Sequence, residues 1–599
     1  MIAILGKAAS PPPPPDLALA SKMLAAAPHR GSCTTLRVLG NCVLGITNRP
    51  DFMDSTVSSE GPLVAALSGR LDNAAELHQA LTAAGSPPES SADADVVVAA
   101  FRAFGRDAPN RMRGCFAGIV TDGSAAWCFR DHAGFRPLFY RDDPRTFVAA
   151  SEPRQVVVGA QLSEEPDFAV LEQILYGRMP SDMPAALKGV ARLAQASTLA
   201  VGGANGVAVR RYWHPVELLE SARLSPADVR DRFVELLGQA VARSLTGRDA
   251  ILLSGGVDSP AVAAFAAPEH RRRTGRAIGA LSAVFPDLPA VDERRYIELV
   301  TEHCGIELHT YRPRSRGLDD VEKWCRLFGS PVPIVSVPEL AENHALARQL
   351  GYRNLLTGDF AEFAFGSPDH LVSYLVTHAR WRALGGLLLT ERRRGVSWRR
   401  LARHLFATFI PGRLANWYLH WRRLDSPQRI PDWLDARKIN EIPYRTDLLQ
   451  PSRRRWTQAQ LVGTEGSTIT IEADEVCAAQ EGVTVRRPFA DIDLWEFFLS
   501  LPAELKCPDL RYKTLARGLL RGRLPDPILD RRDKTYFDDH VMAQVDYPTL
   551  KRWLAVPRHR IPGVDYRRLA QRIEQGNFNR FDWHWAKDLA RIHAFLNAW

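Results

Sequence analysis

The sequence predicts two domains of different class. An α+β domain rich in antiparallel sheet spans residues 1–212, and an α/β domain with a doubly wound parallel sheet and a helical C-terminal region spans 213–599. Three observations lead there. A chain of 599 residues exceeds what one hydrophobic core organises. The short strands and turns of the first part give way near Ser225 to strands alternating with helices, the pattern of βαβ units. Finally, Ser254-Gly255-Gly256-Val257-Asp258-Ser259 stands between an apolar run and a helix, where α/β sheets hold phosphates.

Taken in order, Met1 to Lys7 reads as a short apolar strand, and the polyproline run Pro11 to Pro15 as a surface insertion in loop or extended form. Thr35–Gly40 and Gly118–Gly123 read as strands, the second ending in an Asp-Gly hairpin signal. Asp93–Phe104 reads as the one clear helix among them. After Ser225 the spacing predicts helix Asp228–Leu245, strand Ala250–Leu253 and a helix with Pro260 in its first turn. Strand Ile278–Phe285, helix Glu293–His303, strand Glu307–Tyr311, helix Pro338–Leu350 and strand Asn354–Thr357 follow. Residues beyond about 370 read as mainly helical.

The 46% hydrophobic and 24% charged fractions are those of a soluble protein. Met1 to Lys7 lacks the charged start and long apolar core of a signal peptide, and no apolar run reaches the roughly 18 residues of a membrane span. Eight scattered cysteines without a Cys-x-x-Cys pair indicate neither disulfides nor zinc, so a cytoplasmic location is expected. Much of the +9 net charge lies between Arg380 and Arg423, within an Arg/Trp-rich helical stretch at about 375–435, where Arg392, Arg393, Arg394, Arg399, Arg400 and Arg403 are interleaved with Trp381, Trp398, Trp417, Tyr418 and Trp421. Such a stretch suits a nucleic acid, a membrane surface or a protein partner, and equally amphipathic helices with solvated arginines. No nucleic-acid motif accompanies it, and no nucleic-acid partner is expected.

In the Ser254–Ser259 string the glycines let the backbone approach a ligand, and the N–H groups of the helix start face an anion. Asp258 beside phosphates calls for a cation between them, which points to Mg²⁺. No Gly-Lys-Ser/Thr follows, so the loop is not of the Walker type. It resembles the pyrophosphate loop of the ATP pyrophosphatases, which cleave ATP between its α and β phosphates and leave an adenylated carbonyl. The resemblance extends along the chain to the asparagine synthetase superfamily. Leu67 to Leu77, Ala92-Asp93-Ala94-Asp95, Arg113-Gly114-Cys115-Phe116-Ala117, Arg130 to Tyr140 and Ala150-Ser151-Glu152 are similar to its glutaminase segments. Arg487-Pro488-Phe489-Ala490-Asp491 and Arg532-Asp533-Lys534-Thr535-Tyr536-Phe537 are similar to two later signatures.

The resemblance implies an Ntn-type, glutaminase-like sandwich followed by an ATP pyrophosphatase domain, with ATP and Mg²⁺ as cofactors. Ser254, Gly255, Gly256, Val257, Asp258, Ser259 and Gly358 are expected at the nucleotide, with Ser282 and Val284 where adenine and ribose sit. Asp258 and Glu362 are expected at the metal. Lys534 is expected to stabilise charge as it develops on the carbonyl. Asp359, where relatives carry Glu or Tyr, faces the nucleophile and is a candidate proton acceptor, or else caps its loop. The pair Asp292-Glu293 either approaches the nucleotide or starts a helix. Phe360 stands where the family has glycine.

Departures bear on the activity. The family's glutaminase nucleophile is a cysteine directly after the initiator methionine, and here that position is Ile2; the position of the oxyanion-hole asparagine is Ser68. The first domain is therefore expected to be degenerate, and the amine to come from elsewhere than glutamine. Two subfamilies share the lost cysteine: β-lactam-type synthetases and lasso peptide cyclases. Both close an amide within one substrate, which turns a bimolecular step into an oriented unimolecular one. The longer chain, the Arg/Trp-rich stretch and the altered Asp359 segment favour the cyclase. Its substrate is a precursor core peptide, and a leader-binding protein and a leader peptidase are candidate partners. A non-catalytic scaffold is a third reading, against which the intact Ser254–Ser259 loop and Lys534 stand.

Overall fold

The structure is a computed structural model and describes residues 1–7, 16–177, 182–202, 206–218, 224–314, 320–333, 337–361, 365, 371–399, 401–402, 430–438, 465–531, 553–554, 557–575 and 580–599. The polyproline run, residues 403–429, Glu362 and Lys534 lie outside them.

The first domain contains two six-stranded sheets. One runs Ala191–Arg192, Phe139–Asp142, Thr146–Ala150, Ile2–Gly6, Cys42–Asn48, Cys33–Leu39. The other runs Val207–Arg211, Ser197–Val201, Ala126–Arg130, Gly114–Thr121, Val64–Leu71, Ser55–Val57. Neighbouring strands pair antiparallel. Alternation along a strand sorts residues to opposite faces. Met1, Ala3 and Leu5 point between the sheets, into a core shared with Leu44, Ile119, Cys128 and Leu199. Ile2 and Ile4 point outward onto Ala20 and Met23 of helix Leu17–Ala25. On the far face Ala65 and Leu67 share a core with Val97 and Phe101 of helix Asp93–Phe104.

That helix has the bounds expected of it, but it is not alone. Leu17–Ala25, Ala74–Ala83, Pro153–Gly159 and Phe168–Leu175 are also helical. Helices this short draw their stability from packing rather than propensity. Two of them start on a side-chain cap: Asp16 accepts from Leu19 N, and Asp167 from Ala169 N and Val170 N.

In the second domain five parallel strands lie in the spatial order Glu307–Tyr311, Gly279–Ala283, Asp249–Leu252, Asn354–Leu356, Thr484–Arg486. Chain order reverses between the strands at 249 and 354. That reversal opens a crevice beyond their carboxyl ends, where doubly wound sheets bind ligands. Beyond 370 the described residues are mainly helical, as expected, and the fifth strand is an addition that the sequence did not announce. Three residues are too few to show periodicity, and Thr484–Arg486 is set by pairing with Asn354–Leu356.

Helix Glu465–Glu481 binds the domains together. Its buried Glu472 pairs with Arg130 and Arg192 of the first domain. Its buried Glu475 pairs with Arg136 of the first domain at 3.1 Å and Arg487 of the second at 2.6 Å. Arg113–Asp493 at 2.8 Å, Arg243–Glu76 at 2.8 Å and Arg486–Asp72 extend the seam. Removing one partner of a buried ion pair costs about 3–5 kcal/mol, so the Glu472 and Glu475 pairs favour one docking geometry. Within the Arg/Trp-rich stretch, helix Trp381–Arg393 buries Leu384 and Leu387 and exposes Trp381 and Leu389. All eight cysteines are free. Among the described residues no helix is long and apolar enough to cross a membrane.

Candidate active site

Strand Asp249–Leu252 leads into the Ser254–Ser259 loop, and the next helix begins at Asp258. The loop is braced from within: Ser254 N donates to Ser259 Oγ at 2.9 Å, and the two hydroxyls lie 3.1 Å apart. It is also braced from without. Gly255 N donates to Glu293 Oε2 at 2.9 Å. Arg531 Nη1 donates to Gly255 O at 2.8 Å and to Glu293 Oε1 at 2.7 Å, and its guanidinium lies 4.3 Å over the Tyr296 ring. A Cβ on Gly255 would fall 2.8 Å from Glu293 Cβ and 3.0 Å from Tyr296 Cβ, so this close approach requires glycine. Of the Asp292-Glu293 pair, Asp292 accepts from Arg294 N at 3.2 Å near the helix start while Glu293 holds the loop.

Across the switch point, Asn354–Leu356 leads into Thr357-Gly358-Asp359. Thr357 Oγ1 donates to Asp359 Oδ2 at 2.8 Å, and Arg487 Nε lies 3.7 Å from the same oxygen. The Asp359 side chain keeps 53% of its exposure, and protein encloses the rest of it. That enclosure raises its carboxyl pKa above the usual range, against the opposing pull of Arg487 and Thr357. Phe360 follows at φ +71°. A bulky residue held there costs about 1–3 kcal/mol and persists only where its surroundings dictate it. Its ring is buried between Phe135 (5.2 Å) and Trp495 (5.6 Å).

Asp258 pairs with Lys513 through Oδ2, while Oδ1 is buried without a hydrogen-bond partner among the described residues. Among those residues no group of three or more side chains forms a metal cage. Mg²⁺ held chiefly by phosphate oxygens and water needs only one or two carboxylates, and the unmatched Asp258 oxygen fits that role. Of the other expected residues, Ser282 spends its hydroxyl on Leu253 O at 2.9 Å, and Val284 N donates to Tyr311 O at 2.9 Å. Both lie one strand away from the loop. The site thus brings Ser254–Ser259, Gly358 and Asp359 together. It adds Lys513, Arg531 and Arg487, which carried no nucleotide role in the sequence reading. Arg531 directly precedes the Arg532–Phe537 signature, a signal that was at hand; Lys513 had none beyond its charge.

In the first domain Ile2 is fully buried, and a Cβ on Gly45 would lie 2.9 Å from its Cγ1. Ser68 is buried in strand Val64–Leu71. Arg30 Nε donates to Glu152 Oε1 at 2.7 Å, and both Arg136 Nη atoms reach Asp54 at 2.6 Å. Burial pushes the Glu152 carboxyl up, but Arg30 and His29 outweigh it and hold the pKa at about 2.

The chain is similar to known proteins along both domains. Residues 1–213 match a glutamine amidotransferase domain and residues 232–558 match Asparagine synthase. Asparagine synthetase [glutamine-hydrolyzing] 3 of Bacillus subtilis (strain 168) is 24% identical over 578 residues, covering 89% of this chain and 86% of the relative. Asparagine synthetase [glutamine-hydrolyzing] 1 of the same organism is 21% identical over 502 residues, covering 78% and 74%. A solved glutamine phosphoribosylpyrophosphate amidotransferase from B. subtilis, complexed with ADP and GMP, is 13% identical with a TM-score of 0.26, covering 55% of this chain and 89% of its own. With more than half its length matched, the chain belongs to the asparagine synthase family and is an ATP-dependent carbon–nitrogen ligase.

Proposed function

We propose that this ligase is a macrocyclase. In this reading it adenylates an Asp or Glu side chain of a precursor peptide, joins the activated carbonyl to the peptide's own N-terminal amine, and releases AMP and pyrophosphate. The observation that carries the reading is Ile2, whose side chain is packed into an apolar layer where a glutaminase would need its nucleophile. With no ammonia from glutamine, an amine on the substrate is the economical source. Tethering also supplies the proximity that a free amine lacks.

In this mechanism the Ser254–Ser259 loop binds the phosphates and the crevice between the two loops orients the carboxylate against them. Asp258, with Glu362 as second ligand, would hold Mg²⁺, which would supply charge neutralisation at the phosphates. Asp359 takes the proton of the attacking ammonium, and its raised pKa makes it a better acceptor than a solvated carboxylate. Lys534 stabilises the negative charge that builds on the carbonyl oxygen. A leader-binding protein and a leader peptidase are the partners this reading implies, and cytoplasm the compartment.

The test is mass spectrometry of peptides with a free N-terminus and an internal Asp or Glu, incubated with the protein, ATP and Mg²⁺. Loss of one water together with AMP release is the expected result. Ring closure of a small amino acid derivative instead selects a β-lactam-type synthetase. Amidation dependent on glutamine overturns both.

A further inference from the structure

A polar cavity lies between the two domains, lined among others by Arg70, Asp72, Cys115 and Phe135 of the first and Arg487 and Asp491 of the second. Two of these residues also border the crevice at Asp359. Arg487 lies 3.7 Å from its carboxylate, and the Phe135 ring packs 5.2 Å from the ring of Phe360, the residue that follows Asp359. Phe360 in turn packs 5.6 Å from Trp495. Glycine adopts a φ of +71° freely and phenylalanine does not, so the backbone gains nothing from this side chain. The ring stands where a partition between cavity and crevice would lie: it packs on Phe135, which lines the cavity, and it follows Asp359, which neighbours Arg487.

We infer that Phe360 is a specificity-determining residue, which shuts water and ammonia in that cavity away from the activated carbonyl and leaves the open crevice as the route for the amine. Either small molecule would attack the carbonyl carbon and break its bond to the AMP oxygen. The acid or the primary amide would form, and AMP would leave with its electron pair. Both reactions waste ATP, and the ring blocks both. The chemical part of this inference rests on the proposed acyl-adenylate; the partition itself does not.

The first measurement needs no substrate. Cys115 lines the cavity and is 5% exposed, while Cys42, Cys128 and Cys477 are buried elsewhere at 0–1%. Wild type, Phe360→Gly and Phe360→Ala are treated with N-ethylmaleimide, and labelling is located by peptide mass spectrometry. The expected result is at least a tenfold faster reaction at Cys115 in both variants, slowed by ATP, with the other three cysteines unchanged. Unchanged Cys115, or a rise at all four, overturns the partition and makes the ring ordinary core. The second measurement uses a peptide that the wild type cyclises, N-acetylated to remove its amine, with hydroxylamine as the small nucleophile. Hydroxamate should form at least tenfold faster in Phe360→Gly, and equal rates overturn the specificity role. If the wild type cyclises no peptide, the proposed reaction fails while the cysteine result still decides the partition.

Discussion

Gly358 lies against Asp258 so closely that a Cβ added to it would fall 2.9 Å from Asp258 Cβ and 2.4 Å from Ser259 N. The two loops that bound the crevice are therefore in backbone contact, and the phosphate loop and the Asp359 loop take up one geometry together.

Replacing Gly358 by Ala forces these loops apart. Catalytic geometry displaced by about 1 Å costs about 10²-fold in rate, so substrate-dependent ATP–pyrophosphate exchange should fall by that order. Thermal unfolding recorded beside it should shift little. Exchange at the wild-type rate would mean that the loops act independently.

Asp258→Asn keeps the shape of the side chain and removes its charge. The buried Oδ1 loses its affinity for a cation and Lys513 loses its partner. Exchange should drop to background, and ATP binding measured by calorimetry should lose its dependence on Mg²⁺. Retained Mg²⁺ dependence would place the metal elsewhere.

Lys534→Ala tests stabilisation of the transition state alone. Product formation should fall by about 10²–10³ while ATP affinity holds, because the phosphate loop is untouched. A parallel loss of affinity and rate would make the lysine a ground-state ligand.

Asp359 accepts a proton only when ionised, and enclosure has raised its pKa above the ordinary value of 3.8. Turnover should be flat at higher pH and fall as pH drops through that raised value. Asp359→Asn should remove this acid limb and lower turnover by about 10²-fold. An unchanged limb in the variant would assign the titration to another group.

Glu152 makes a separate prediction about stability. Its folded pKa of about 2 lies below the model-compound value of 4.5. The stability it contributes is therefore complete above about pH 4.5 and is lost as pH falls toward 2, at most about 3 kcal/mol in all. Denaturant midpoints across that range should fall less steeply for Glu152→Gln than for wild type.

Much of this was legible in the chain because its signals are local. Strand Glu307–Tyr311 and helix Asp93–Phe104 have the bounds their patterns predicted, and the phosphate loop sits where a strand meets a helix. What stayed hidden comes from far away. Lys513 reaches Asp258 across 255 residues of chain and Arg531 reaches Gly255 across 276. No local pattern marks which of many basic side chains makes such a contact. The strand Thr484–Arg486 was invisible for the same reason, since its partner lies more than a hundred residues upstream.

The acids of helix Glu465–Glu481 carry a consequence for anyone who would shorten this protein. Excising residues 1–212 as dispensable ancestry would strip Glu472 of both its guanidiniums and Glu475 of one. The stranded carboxylates would then lie beside the strand that leads into Arg487, next to Asp359. The first domain serves its neighbour as a solid counter-ion, and the ligase is built on its charges.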